Sequence, residues 1–279
     1  MKKTKIELLA VVAILTTVIG TTSIPAFATT TTTNGTLIES SIKNNTLTKD
    51  SYISWFNEKI KKSTGSEKAD LKTALSQFKA LTKEKQDKFI EYLNNPEIMS
   101  NAIKTANNAV KQEVKKSSLS SLNSSSQSTS NKVFKYNDDI KVTVSSNVED
   151  TDKSNKSNSI SKSSYGDAQE HKVTGTYKDA ITLFDVDVFQ AIIWVKYTHN
   201  GDEVLSVDDG NAYTGKNYSP LLDTNWSDVS LDYNSQKAWA TSDVTFSLIW
   251  KGLGVKYGSA ELGVQGDVNK NIEGWTTPQ

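Results

Sequence analysis

The chain has no cysteine, no arginine and only two histidines, His171 and His199. Without cysteine there are no disulfide staples, thiol nucleophiles or zinc–thiolate centres, so the fold must be held by packing alone. That is usual for exported proteins of monoderm bacteria. All 32 basic residues are lysine. Arginine supplies the bidentate fork that reads phosphate and guanine edges, so its absence disfavours specific nucleic-acid recognition, and no nucleic-acid partner is expected. Neither histidine has a second metal-type ligand at a useful spacing, and His199 abuts a turn signal, so both read as solvated strand-end or turn residues. Serine is plentiful but concentrated in linker-like tracts, and no Gly-x-Ser-x-Gly elbow occurs. The residues therefore supply no catalytic constellation, and neither a metal nor a cofactor is expected.

Long apolar runs are almost as scarce. One, residues 8–20, follows Lys2, Lys3 and Lys5 and precedes Pro25 and Ala26-Phe27-Ala28. A cationic start, a short apolar run and small residues at −3 and −1 spell a secretory signal cut between Ala28 and Thr29. The run is too short to span a bilayer. No cysteine follows it for lipid attachment, and no second apolar segment follows Lys270. An extracellular protein that is not integral to a membrane is the expectation.

Zero net charge hides an uneven distribution. Residues 48–118 hold 14 lysines against 9 acids, and residues 131–279 hold 14 lysines against 21 acids. The front half is thus basic and the back half acidic, a poor balance for adsorption to anionic lipid.

The period of the apolar residues changes along the chain. Residues 29–47 read as a flexible leader. From Thr48, Tyr52, Phe56 and Ile60 recur every four residues, with Gly65-Ser66 ending that element. Leu71, Ala74, Leu75, Phe78 and Leu81 mark a second helix, and Phe89, Ile90 and Leu93 a third. Asn95-Pro96 signals the start of a fourth, carrying Met99, Ala102, Ile103, Ala106, Ala109 and Val110. Residues 48–116 are expected to form a small antiparallel helical bundle. Residues 117–166 read as a Ser/Lys/Asn-rich linker with one strand at 140–144, open to proteolysis at Lys132, Lys153, Lys156 or Lys162. Cleavage there is expected to separate a basic helical half, docked by charge, from the acidic remainder.

Residues 167–279 follow period two. Phe184, Val186 and Val188 alternate with Asp185 and Asp187, and the phase then flips so that Phe189, Ala191, Ile193, Val195 and Tyr197 share a face. Such a flip implies a β-bulge or a strand crossing between sheets. Asn200-Gly201 reads as a type I′ hairpin turn. The fold class expected is α+β multidomain: a helical bundle followed by an antiparallel β-sandwich.

Asp185 and Asp187 are weighed as a glycosidase pair, but their alternation with apolar neighbours turns them to solvent. Asp208-Asp209-Gly210-Asn211 has calcium-type oxygens without EF-hand spacing and reads as a turn. Among the aromatics, Trp250 falls in phase with Val244, Phe246 and Leu248 and is expected in the core. Trp226, Tyr233 and Trp239 are the candidate binding surface, since exposed aromatics serve sugar-stacking and partner-binding faces.

Two stretches carry a resemblance. One is helical, Phe78-Lys79-Ala80-Leu81-Thr82-Lys83-Glu84-Lys85-Gln86-Asp87-Lys88-Phe89, continuing through Tyr92-Leu93-Asn94-Asn95-Pro96-Glu97. The other is the β segment 244–255 with its Trp250-Lys251-Gly252-Leu253-Gly254 turn. Together they resemble secreted proteins of Bacillus and its relatives that are similar to the large, unmodified geobacillin-type bacteriocins. The resemblance implies antibacterial activity against related species and brings no site residue with it. With the signal segment and the missing catalytic constellation, the function expected is a secreted, non-enzymatic antibacterial protein acting on a cell-surface target. The expected partners are a bacterial cell-surface component or protein target and an immunity protein. The alternative is an extracellular adhesin or glycan-binding module.

Overall fold

The computed structural model describes residues 46–95, 97, 98, 101, 102, 104, 105, 108, 130–150, 170–250 and 253–279. The signal segment, the cut at Ala28–Thr29 and the tracts 111–129 and 151–169 lie outside the described residues. So do the side chains of 248–250, 253–257 and 278, Trp250 and Tyr257 among them.

Three helices occupy the N-terminal side: α1 (Lys49–Lys62), α2 (Gly65–Ala80) and α3 (Lys83–Asn94). Thr48 caps α1 in a reciprocal box. Its hydroxyl accepts the Ser51 N–H at 3.2 Å, and the Ser51 hydroxyl accepts the Thr48 N–H at 2.8 Å. Two otherwise orphaned donors are satisfied this way. Thr82 caps α3 by accepting from the Lys85 N–H. The buried stripes meet in an aromatic knot, with Tyr52 edge-on to Phe56 at 5.0 Å and to Phe78 at 4.9 Å, and Phe78 against Phe89 at 5.0 Å. Each such pair contributes about 0.5–1.5 kcal/mol beyond its buried area. The described residues between 97 and 108 are also helical, and Ala102 is buried. The rest of the expected fourth helix lies outside the described residues.

One boundary moves. Leu47, expected in the flexible leader, is buried. The Asn94 side chain clamps it, accepting its N–H and donating to its carbonyl, both at 2.8 Å.

Ten strands follow: β1 (Ser130–Lys135), β2 (Ile140–Asp150), β3 (His171–Leu183), β4 (Val186–His199), β5 (Val204–Asn217), β6 (Leu222–Trp226), β7 (Ser230–Tyr233), β8 (Lys237–Trp250), β9 (Leu253–Asp267) and β10 (Ile272–Pro278). They build two antiparallel sheets, β1-β2-β3-β4-β5 and β10-β9-β8-β6, with β7 pairing an earlier stretch of β8. The segment expected as linker therefore holds two strands of the first sheet, and the strand foreseen at 140–144 runs on to Asp150. Its solvent-side residues are Lys141, Thr143, Ser145, Asn147 and Glu149, which hide it among the Ser/Lys/Asn-rich linker composition. Only the alternation of Ile140, Val142 and Val144 marks it as a strand.

The sheets face one another across a mostly apolar interior. Phe189 of β4 meets Phe246 of β8 edge-on at 5.6 Å. Tyr177 and Tyr197, fully buried on β3 and β4, reach across to glycines of the other sheet. A Cβ at Gly274 would fall 2.0 Å from the Tyr177 ring, and one at Gly266 would fall 2.5 Å from the Tyr197 ring. Glycine at these two places leaves the room each tyrosine occupies. The Tyr197 hydroxyl then donates to the Asp267 carbonyl at 2.8 Å.

The phase flip in β4 is a bulge. Ile181 pairs with Phe189 and Thr182 with Asp187, leaving Val188 unmatched, and both Val188 and Phe189 are buried. The freed Val188 carbonyl accepts the Tyr218 N–H at 2.7 Å.

The helices dock directly on one end of the sheets. Tyr52 donates its hydroxyl to the Tyr218 carbonyl at 3.0 Å, and Phe56 packs on the Tyr218 ring at 5.6 Å. Tyr92 stacks on Phe184 at 6.1 Å and donates to Asp139 Oδ2 at 2.8 Å. Lys88 reaches the same oxygen at 2.5 Å, and its hydrogen bond holds the Asp139 carboxyl below its ordinary range. The junction is mostly buried aromatic surface with one exposed ion pair, in place of the expected electrostatic docking.

Candidate functional site

The expected candidates scatter. Asp185 and Asp187 do not share a strand face. Phe184 and Asp185 form the tip of the β3–β4 hairpin, both with positive φ (52° and 64°), and only Asp187 lies in β4. Each carboxylate is matched by a lysine: Asp185 by Lys141, and Asp187 by Lys216 at 2.6 Å. Both Asp185 and Asp187 retain access to solvent, as the alternation implied.

The run at 208–211 is not a turn; it lies inside β5. Asp208 sits where the β4–β5 register shifts, and hydroxyls occupy its two oxygens, Thr198 at 2.9 Å and Ser206 at 2.7 Å. Asp209 accepts from the Gly210 N–H. No group of three or more His, Asp or Glu able to hold a metal occurs among the described residues.

Strand pairing brings together the two histidines that sequence spacing had kept apart. His171 and His199 are cross-strand partners with rings 5.4 Å apart. His199 Nδ1 accepts the Gly201 N–H at 3.1 Å, which places the ring proton on the buried Nε2, where it finds no partner. Burial, then Lys270 and His171, depress its pKa. A neutral imidazole holding a turn fits this geometry. That turn is not type I′, because Gly201 alone carries positive φ between 199 and 204. The Asn200 side chain accepts from the N–H groups of Asp202 and Glu203 instead.

The three aromatics divide between faces. Residues paired across antiparallel strands point to the same side. Trp226 pairs with buried Val244 and Tyr233 with buried Ala238, so both lie on the side facing the first sheet. Trp226 is half-buried and donates its indole N–H to Thr214 at 3.0 Å, whereas Tyr233 is 46% exposed. Trp239 belongs to the opposite, outer face of the second sheet.

That outer face holds a second tryptophan not foreseen as a site. Trp275 of β10 pairs with Gly263 of β9, and a Cβ at 263 would fall 2.0 Å from ring atoms Cε2 and Cζ2. The indole therefore lies across the sheet, one face against backbone and the other turned outward. Its N–H donates to Glu261 at 3.1 Å, fixing the ring in its own plane. Beside it Gln265 donates to Glu273 at 2.5 Å, and Gln279 to Asp243 at 2.7 Å. Register places Trp239 opposite Gln265, next to this network. The arrangement is an ordered aromatic platform ringed by hydrogen-bond acceptors.

One concavity, of about 350 Å³, opens between α1, α2 and β5, lined by Trp55, Lys59, Glu67, Asp70, Lys216 and Tyr218. Burial, followed by Asp70, Asp187 and Glu67, pushes the Tyr218 hydroxyl up to about 12. Its charges are of both signs, and Lys216 is already paired with Asp187. No helix among the described residues is long and apolar enough to cross a membrane. Family models, curated proteins and solved structures were each compared with the chain, and none matches it.

Proposed function

We propose that this protein is a secreted, non-enzymatic effector that binds the surface of related bacteria and inhibits them, with the outer face of the second sheet as its contact surface. The observation that carries the binding part is Trp275, laid flat over Gly263 and fixed by Glu261. A large aromatic held ready costs little to order on binding. The antibacterial part follows from the resemblance to geobacillin-type bacteriocins, and secretion from the segment before Thr29. In this reading the facing sheets are a β-sandwich that presents the surface, and the helices are a small bundle closing one of its ends. An immunity protein in the producer is part of the same proposal.

The test is a growth-inhibition assay of purified protein lacking residues 1–28 against a broad panel of related strains, paired with its depletion from solution by those cells. Inhibition of some strains at micromolar protein, with depletion by the same cells, is expected. No inhibition anywhere in the panel would sink the antibacterial reading. Depletion without harm would leave the adhesin or glycan-binding alternative, which the same platform also favours.

A further inference from the structure

We infer that the platform on the outer face of the second sheet binds an uncharged pyranose polysaccharide, with Trp275 as the stacking surface. This inference rests on the surface-binding reading above and names its ligand class. A pyranose ring presents a flat array of C–H groups that matches an indole face in size and polarity, while its hydroxyls radiate near the ring plane. The Trp275 ring covers Gly263, with Cε2, Cζ2 and Nε1 all within 2.6 Å of where a Cβ would stand, so a sugar stacked on its outer side directs its hydroxyls toward the neighbouring strands. There the residues of neighbouring strands wait as acceptors. Asp243, Glu261 and Thr277 form the cross-strand row on one side of Trp275, and Trp239, Gln265 and Glu273 form the row on the other.

Charge selects among surface polymers. Among the described side chains of this face, Asp223, Asp232, Asp243, Glu261, Asp267 and Glu273 are carboxylates, and Lys237, paired across strands with Asp267, is the sole cation. A phosphodiester polymer such as a teichoic acid meets like charge here, whereas a neutral glycan offers hydroxyl donors to oxygens that can only accept. Trp239 on the same face, one strand beyond Gly263, offers a second ring to a chain running across the strands.

Tryptophan over a strand glycine also shields backbone, so shielding must be separated from recognition. A methyl group at 263 would itself cover that backbone, but it would lift the indole off the sheet. Gly263→Ala is therefore the informative variant. The clash is with a surface side chain that can swing away, which leaves the fold intact.

The experiment titrates full-length secreted protein with hexamers of N-acetylglucosamine and of glucose, and separately with poly(glycerol phosphate), followed by tryptophan fluorescence and calorimetry. Binding of at least one neutral hexamer is expected, weakened tenfold or more in both Trp275→Ala and Gly263→Ala. Partial recovery in Trp275→Phe is also expected, and circular dichroism should be unchanged throughout. Binding of poly(glycerol phosphate) with no response to the hexamers would overturn the proposal, as would hexamer binding indifferent to both variants. Depletion by cells that is lost in Trp275→Ala, with neither hexamer bound, would overturn the ligand class while leaving the contact surface standing; depletion that persists in Trp275→Ala would overturn both. Absence of all cell binding would remove both.

Discussion

The Tyr52 hydroxyl donates to the Tyr218 backbone carbonyl at 3.0 Å, a buried bond between residues 166 apart in sequence. Tyr52 is the centre of the helical aromatic knot, and Tyr218 bridges β5 and β6, so this one bond joins the interiors of both parts. Burial, and then Tyr218, raise the Tyr52 hydroxyl well above its ordinary value, so it remains a donor at every physiological pH.

Because the junction is buried, the helices and sheets should unfold together. Tyr52→Phe keeps the rings and strands the Tyr218 carbonyl, costing about 1–3 kcal/mol. Tyr52→Ala also opens a cavity and should cost about 3–5 kcal/mol. Urea unfolding followed by helical circular dichroism and by tryptophan fluorescence should give coincident transitions in the wild type, with little change at high salt. Two separated transitions, or salt-driven undocking, would show independent modules held by charge.

The β3–β4 hairpin gives a paired comparison. Phe184 and Asp185 both occupy the left-handed region, a conformation that costs about 1 kcal/mol or more for such residues. Asp185→Gly removes that strain and loses only an exposed ion pair to Lys141, so it should be neutral or stabilising by up to about 1 kcal/mol. Phe184→Gly relieves the same strain but forfeits the stack on Tyr92, and it should destabilise. Thermal melting of the two variants checks the opposite signs.

Much of the β architecture could be read from alternation, down to the bulge at Val188. The same signal misread Phe184-Asp185 as strand. No glycine or asparagine marks that turn, which is held by tertiary contacts: Tyr92 on the Phe184 ring and the Asp139 carbonyl accepting the Phe184 N–H at 2.7 Å. The helical stripes were legible too, but not their burial against Tyr218, since docking is a property of two distant segments. For the same reason His171 with His199, and Trp275 with Gly263, appear only once strands are paired. A partial signal for the platform existed: Gly263 interrupts a strand pattern, and a strand glycine marks close approach.

Asp179 predicts an unusual pH dependence. It occupies an interior position of β3, with Thr276 donating to Oδ2 at 3.3 Å and Oδ1 unpartnered. Burial pushes its carboxyl from 3.8 up to about 6. Between these values the native state binds the extra proton, so this residue makes stability fall as pH rises from about 4 to 6. The loss amounts to about 3 kcal/mol, at about 1.4 kcal/mol per pH unit. Asp179→Asn should therefore be more stable than wild type at pH 7.5 and equal to it below pH 4, by urea midpoints. Parallel curves for the two proteins would contradict this account.

Surface recognition through Trp275 is the central claim, and whole cells test it most directly. Wild type and Trp275→Ala, matched by circular dichroism, are mixed with a sensitive strain, and both depletion from the supernatant and survival of the cells are measured. The account predicts that wild type is depleted and kills, while Trp275→Ala stays in solution and spares the cells. A variant that binds and kills as well as wild type would contradict it.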